Sequence, residues 1–205
     1  MKKALAYLLA GTMIMLLFAC QKSEEPTVTA ANGASSGNAE LTGLQEAIAE
    51  YPALVTSGGQ SADYQIVATV MKKQGMDFET NNLATSADLE GFKTLIVVVG
   101  GSTKGLGAAG IDSDEELARI NELLDAAKDK GITVIVMHTG GESRRGDLSD
   151  KFISPALAKA DYAIIVSSGD SDGFMADICK KNSIPVDYID SISDVLTSLP
   201  AAFKK

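Results

Sequence analysis

The chain has 205 residues, with 27 acidic against 18 basic side chains and a formal charge of −9. An acidic surface of this kind disfavours nucleic acid and anionic lipid headgroups as general partners. It leaves room for one local basic pocket, and the chain beyond its first 40 residues is long enough for one domain with a real core.

In chain order, Lys2 and Lys3 precede an apolar run from Ala4 to Ala19 that ends Leu17-Phe18-Ala19-Cys20. A charged start, an apolar run and a small residue before a cysteine are the parts of a secretory signal. As a helix the run would reach about 24 Å, short of a hydrocarbon core of about 30 Å. The Leu-x-Ala-Cys ending resembles a bacterial lipobox, which implies residues 1–19 as signal peptide and Cys20 as a lipidated mature N-terminus. A simple N-terminal membrane anchor is the alternative; either way the domain is exported and tethered to the bilayer. Loss of Lys2 and Lys3 would take the formal charge from −9 to −11. Cys179 is then left without a partner for a disulfide and reads as a small buried apolar residue. The segment 20–40 is small, polar and aperiodic, as a disordered tether is.

From residue 41 onward, β-rich runs alternate with amphipathic ones. ALVT (53–56) predicts a strand, and Ser61 to Gln74 a helix with Ile66, Val67, Val70 and Met71 on its inner face, closed by Gly75. MDFET predicts a second strand and SADLEGF a helical turn. TLIVVV (94–99) has no alternation, as a strand buried on both faces requires. Ser113-x-x-Glu116 reads as a capping box opening a helix with Leu117, Ile120, Leu124 and Ala127 inward. ITVIVM (132–137), a helix near 150–159, YAIIV (162–166), a helix near 172–182, PVDYI (185–189) and a helix near 191–199 follow. The alternation predicts a single three-layer α/β/α domain over 41–205, flavodoxin-like or Rossmann-like, with a mostly parallel sheet of five or six strands.

In such sheets ligands bind beyond the carboxyl ends of the strands. Glycine pairs open three of those loops: Gly58-Gly59, Gly100-Gly101 and Gly140-Gly141. Glycine lets backbone N–H groups approach a ligand, and a following helix N-terminus adds partial positive charge. With strand order 2-1-3-4-5 the three loops would converge. Lys104, Arg144, Arg145 and the sole histidine, His138, then suggest a site for a carboxylate, phosphate or sulfate. The expected binding set is Ser57, Gly58, Gly59, Gln60, Ser61, Gly100, Gly101, Ser102, Lys104, Gly105, His138, Thr139, Gly140, Gly141, Arg144 and Arg145. The competing reading pairs the two arginines with Glu142, Asp147 or Asp150.

Gly105, Gly107 and Gly110 also spell G-x-G-x-x-G, and the surrounding run looks like the cofactor loop of short-chain dehydrogenases. Three features argue against a nicotinamide enzyme. The pattern follows the third strand rather than the first, the predicted helix opens only at Ser113, and Tyr162 and Tyr188 lack a lysine four residues on. Nicotinamide cofactors are also not freely available outside the cytoplasm. TSGGQS (56–61) is similar to a flavodoxin phosphate loop, but the loops after the third and fourth strands hold no aromatic residue to cover a flavin. No cofactor is therefore expected, with FMN disfavoured, and no H-E-x-x-H or cysteine–histidine set suggests a metal.

An enzymatic reading would use His138 as general acid or base with Glu142, and Asp63 as a second carboxylate candidate. Ser57, Ser61 and Ser102 are the available nucleophiles, outside any G-x-S-x-G elbow. Against it stands a histidine that only hydrogen-bonds ligand or backbone. The stretches GGSTKGLGAAGID, MHTGGESRRGDLSDKFI and TSGGQSAD resemble a family of uncharacterised bacterial secreted or lipid-anchored proteins known only as a domain of unknown function. That resemblance implies a coherent domain and brings no activity. The leading expectation is an extracytoplasmic, membrane-anchored lipoprotein of the cell envelope that binds a small anionic molecule. A hydrolase or transferase acting on a nucleotide-like or sugar-phosphate substrate is the alternative. An interaction module for a membrane transporter or other envelope protein is a third.

Overall fold

A computed structural model describes residues 41–205; the signal peptide, Cys20 and the tether expected over 1–40 lie outside the described residues. Six strands form one sheet: β1 (Ala53–Gly58), β2 (Phe78–Thr80), β3 (Thr94–Val99), β4 (Thr133–His138), β5 (Tyr162–Val166) and β6 (Val186–Ile189). Every pairing is parallel and the order is β2-β1-β3-β4-β5-β6. The chain steps outward to β2, returns past β1, and then winds the other way, so the order reverses between β1 and β3.

A parallel sheet needs helices on both faces, and its central strands are apolar throughout. All six residues of β1 and of β3 are buried. Val55, Ile96, Val98, Ile135 and Met137 point to one side, where α1 (Asp63–Lys73) and α6 (Val195–Ala201) pack. Leu54, Val97, Val99, Val134 and Val136 point to the other, under α3 (Ser113–Asp129), α4 (Asp147–Ala158) and α5 (Phe174–Asn182). The fold is the three-layer α/β/α domain that the alternation of patterns predicts.

Local assignments differ in four places. Ile66 is 46% exposed, so the inner face of α1 is Val67, Val70 and Met71. On α3 the buried stripe is Glu116, Ile120, Leu123, Leu124 and Ala127, with Leu117 only half-buried. The cap of α3 is Asp112, whose carboxylate accepts from Asp114 and Glu115 N–H while Glu115 returns to the Asp112 N–H. Ser113 and Glu116 are therefore not a capping box, and Glu116 turns inward instead.

The fourth difference is a helix, α2 (Thr103–Ala109), inside the glycine-rich stretch read as a loop. Two glycines in the interior cost a helix about 1 kcal/mol each, which hides it in the sequence. It is closed at both ends, by the Ser102 hydroxyl accepting from Gly105 N–H and by Gly110 at φ +72°. It is also held by tertiary contact, because Leu106 is buried. The helix at this stretch thus opens at Thr103, two residues ahead of the first glycine of the G-x-G-x-x-G pattern, rather than at Ser113.

Candidate functional site

The sequence-predicted loops do come together, since β1, β3 and β4 are neighbours. Gly100 N–H donates to Gly58 O and Ser102 N–H to Gly59 O, each at 2.9 Å. Gly101 N–H donates to the Ser149 hydroxyl at 2.9 Å, tying the loop after β3 to α4. The glycine pairs allow this proximity between protein segments. A Cβ on Gly59, whose φ is +103°, would sit 2.6 Å from the Phe152 ring and 2.7 Å from Gly100 O. One on Gly105 would overlap the carbonyl oxygen of Gln60. The close approach that a dinucleotide loop offers to a pyrophosphate is here taken by the chain itself.

The anion chemistry suggested by the sequence is present, and internal carboxylates fill it. Glu116 is fully buried and its carboxylate accepts from Gly59 N–H at 2.8 Å and from Gln60 Nε2 at 3.1 Å. Arg119 closes on it with Nε and Nη2, both at 2.8 Å, and reaches on to Ala84 O and Ser57 O. A glycine loop, a side-chain amide and a guanidinium therefore surround an anion, and that anion is a residue of α3. Neither Glu116 nor Arg119 belongs to the sequence-predicted set. The signal that could have found them is a carboxylate four residues before Ile120 on the buried face, which a capping-box reading absorbs.

The other predicted cations divide in the same way. Arg145 is held at every donor: Nε and Nη2 on Asp150, Nη1 and Nη2 on Asp172, and Nη1 on Gly169 O. Its guanidinium also lies over the Phe174 ring, 4.9 Å from the centroid. These bonds push its acidity still further from neutrality, and the same hydrogen bonds hold Asp172 down at about 2. Arg145 is a strut between α4 and the loop after β5, and it has no donor left for a ligand. Arg144 donates Nε to Asp63 at 3.1 Å, with the arginine side chain 33% exposed. Lys104 is exposed on α2.

His138, at the end of β4, is completely buried, and its Nε2 meets Arg144 O at 3.0 Å. Its Nδ1 has no partner, and Gly169 packs so close that a Cβ there would lie 2.7 Å from that nitrogen. Burial pushes the ring's pKa below its ordinary value, against a smaller upward pull from the Arg144 carbonyl. Of the roles the sequence allowed, the structure displays the backbone hydrogen bond. Glu142 is exposed while His138 is enclosed. No hydroxyl among the described residues bonds to His138, so the nucleophile–base contact that covalent hydrolysis uses is not formed.

The remaining predicted residues complete the junction. The Ser57 hydroxyl donates to Ser61 O, the Ser61 hydroxyl accepts from Asp63 N–H, and the Ser102 hydroxyl caps α2. Gly58 lies against Val97 and Val99, Gly100 against Ser61 and Arg144, Gly140 against Arg144 and Gly141 against Ser168. The Thr139 hydroxyl is buried without a partner.

Open space at this edge lies beside the junction, where the strand order reverses. A cleft of about 380 Å³ runs between the start of α1, the loop after β2 and α2. Gln60 forms part of its lining in a left-handed backbone conformation, φ +59°. Its side chain is fixed from both sides: Nε2 donates to Asn82 O and Glu116, and Oε1 accepts from Asn82 Nδ2. The Glu116–Arg119 pair thus lies under this lining. Among the described residues no group of three or more histidine, cysteine, aspartate or glutamate side chains could hold a metal.

A family model, "Domain of unknown function (DUF6305)", matches residues 50–203. The chain belongs to this family. A search of curated proteins found no match. Among solved structures, the DUF6305 chain is similar to a GDSL-like lipase from Bacteroides thetaiotaomicron VPI-5482, with 14% identity, TM-score 0.30 and 66% of each chain covered, so it spans just under two thirds of that lipase. A putative acylhydrolase from Bacteroides fragilis NCTC 9343 aligns at 12% identity, over 74% of this chain and 72% of the other, with TM-score 0.33. The SGNH-hydrolase family esterase AlinE4 aligns at 12% identity, over 79% and 85%, with TM-score 0.30.

Proposed function

We propose that this protein is a small-molecule-binding module, displayed outside the cytoplasm on a lipidated Cys20 and binding its ligand in the cleft beside β1 and β3. One observation carries the reading: open space at the carboxyl edge coincides with the reversal of strand order, where open α/β sheets bind ligands. A cleft of about 380 Å³ falls within the size of small-molecule sites, about 300–1,000 Å³. The export signal and the polar tether read from the sequence supply the address.

The test is native mass spectrometry of protein purified from its host membranes, beside an Ala108→Trp variant that fills the cleft. A bound species present in the first sample and missing from the second is expected. A protein that carries nothing from its host, and whose melting point no member of a metabolite library shifts, defeats the reading. Cys20→Ser should move the protein from the membrane to the soluble fraction.

A second reading, a small anion held at Arg144, is favoured by one feature. Only Nε of its guanidinium is engaged, so four of the five N–H donors an arginine carries have no partner among the described residues. Phosphate titration of the wild type and Arg144→Ala separates this from the cleft, because Ala108→Trp leaves such a site intact. FMN is disfavoured on either reading, because the Gly59 N–H of the flavodoxin-like loop already donates to Glu116.

A further inference from the structure

Resting on the reading that the switch-point cleft is the ligand site, we infer that its ligand is an uncharged planar heterocycle with amide-like donors and acceptors along one edge, the class of a nucleobase or nucleoside. The inference begins with what the lining lacks, a charged side chain. Its polar groups are the amides of Gln60, Gln65 and Asn82 and the phenol of Tyr64. Its third side is the α2 face of Gly105, Ala108 and Ala109, spaced i, i+3 and i+4, which projects nothing larger than a methyl group. A flat ring can lie against such a face, and Tyr64 brings an aromatic ring to the same cleft.

Hydrogen-bond capacity points the same way. Gln60 is spent on Asn82 and Glu116, but Asn82 uses only Nδ2, and Gln65 only Nε2, toward the Tyr64 hydroxyl. Asn82 Oδ1 and Gln65 Oε1 accept nothing from the described residues, and the Tyr64 hydroxyl donates to none of them. Each amide nitrogen also has a second N–H without a partner among the described residues, so two open acceptors and three open donors form a mixed set that matches an edge alternating N–H with C=O.

Charge around the cleft reinforces this selection. Asp112, Asp114 and Glu115 stand at the start of α3, directly after α2, and Asp63 stands at the start of α1. The nearest guanidiniums, Arg119 and Arg144, already face Glu116 and Asp63. An anion would meet no cation in the lining, since exposed Lys104 of α2 is not part of it, whereas a neutral ring needs none.

The experiment is isothermal titration of the detergent-solubilised full chain with uridine, adenosine, their 5′-monophosphates and inorganic phosphate. It is run on the wild type, Ala108→Trp and Arg144→Ala, with each variant's melting curve confirming that it is folded. A nucleoside should bind, its monophosphate should bind at least about tenfold more weakly, Ala108→Trp should abolish binding, and Arg144→Ala should leave it unchanged. Tighter binding of the monophosphate or of phosphate overturns the inference, and its loss in Arg144→Ala moves the site to that arginine. If no probe binds yet Ala108→Trp strips a species that co-purifies with the wild type, the ligand class is wrong and the site stands. If Ala108→Trp retains that species, the site itself is wrong.

Discussion

Replacing Glu116 by alanine removes the one group that the first glycine loop, Gln60 and Arg119 all share. Four N–H donors lose their acceptor at once: Gly59 N–H, Gln60 Nε2, and Nε and Nη2 of Arg119. Glu116 is fully buried and the Arg119 side chain is 12% exposed, so little water can replace the carboxylate. Arg119 keeps Ala84 O and Ser57 O, but its charge is left without a counter-ion. Breaking a buried pair from one side costs about 3–5 kcal/mol. With a urea slope of about 2 kcal/mol per M for a domain of this size, the unfolding midpoint should fall by roughly 2 M. Equilibrium urea unfolding of the wild type, Glu116→Ala, Arg119→Ala and the double variant makes the check. The double variant should be less damaged than the sum of the two singles, because removing both charges leaves neither stranded. A Glu116→Ala midpoint within about 0.5 M of wild type would refute the claim that this carboxylate anchors the loop.

Three further outcomes follow from the same geometry. His138 is the only histidine and its pKa is lowered in the folded state by burial. The unfolded chain therefore takes up the proton first, so stability is full above about pH 6.5 and falls as the pH drops through the folded value; urea midpoints at about pH 7.5 and 5.5 should differ in the wild type and differ less in His138→Asn. Gly105→Ala should destabilise because its Cβ would overlap Gln60 O, whereas Gly107→Ala, with nothing within 4 Å, should gain about 0.5–1 kcal/mol of helix stability; thermal melts that move both variants the same way would contradict this. Arg145→Ala should cost about 1–3 kcal/mol through its lost hydrogen bonds while leaving binding of any cleft ligand unchanged, read by urea unfolding and by titration.

The sequence by itself determined the architecture. Strands such as TLIVVV and ITVIVM have no polar alternation, and a run of that kind is stable only when both faces are covered, so a parallel sheet between helix layers follows from composition alone. The glycine pairs also located the loop junction, because glycine at consecutive strand ends signals backbone in close approach. What approaches it is a different matter. Whether a guanidinium and a row of N–H groups meet a ligand or a carboxylate of the same chain depends on contacts between residues 57 positions apart, as between Gly59 and Glu116. No local pattern carries that information, and Glu116 has the same spelling as a capping residue until its direction is known. Even α2 was hidden for this reason, since its glycines oppose a helix locally and only burial of Leu106 and the fit of Gly105 against Gln60 settle it. The cleft likewise belongs to the tertiary structure. It lies where the loops after β1 and β2 part from α2, and it is lined by amides that nothing in their own sequence neighbourhood marks as a site.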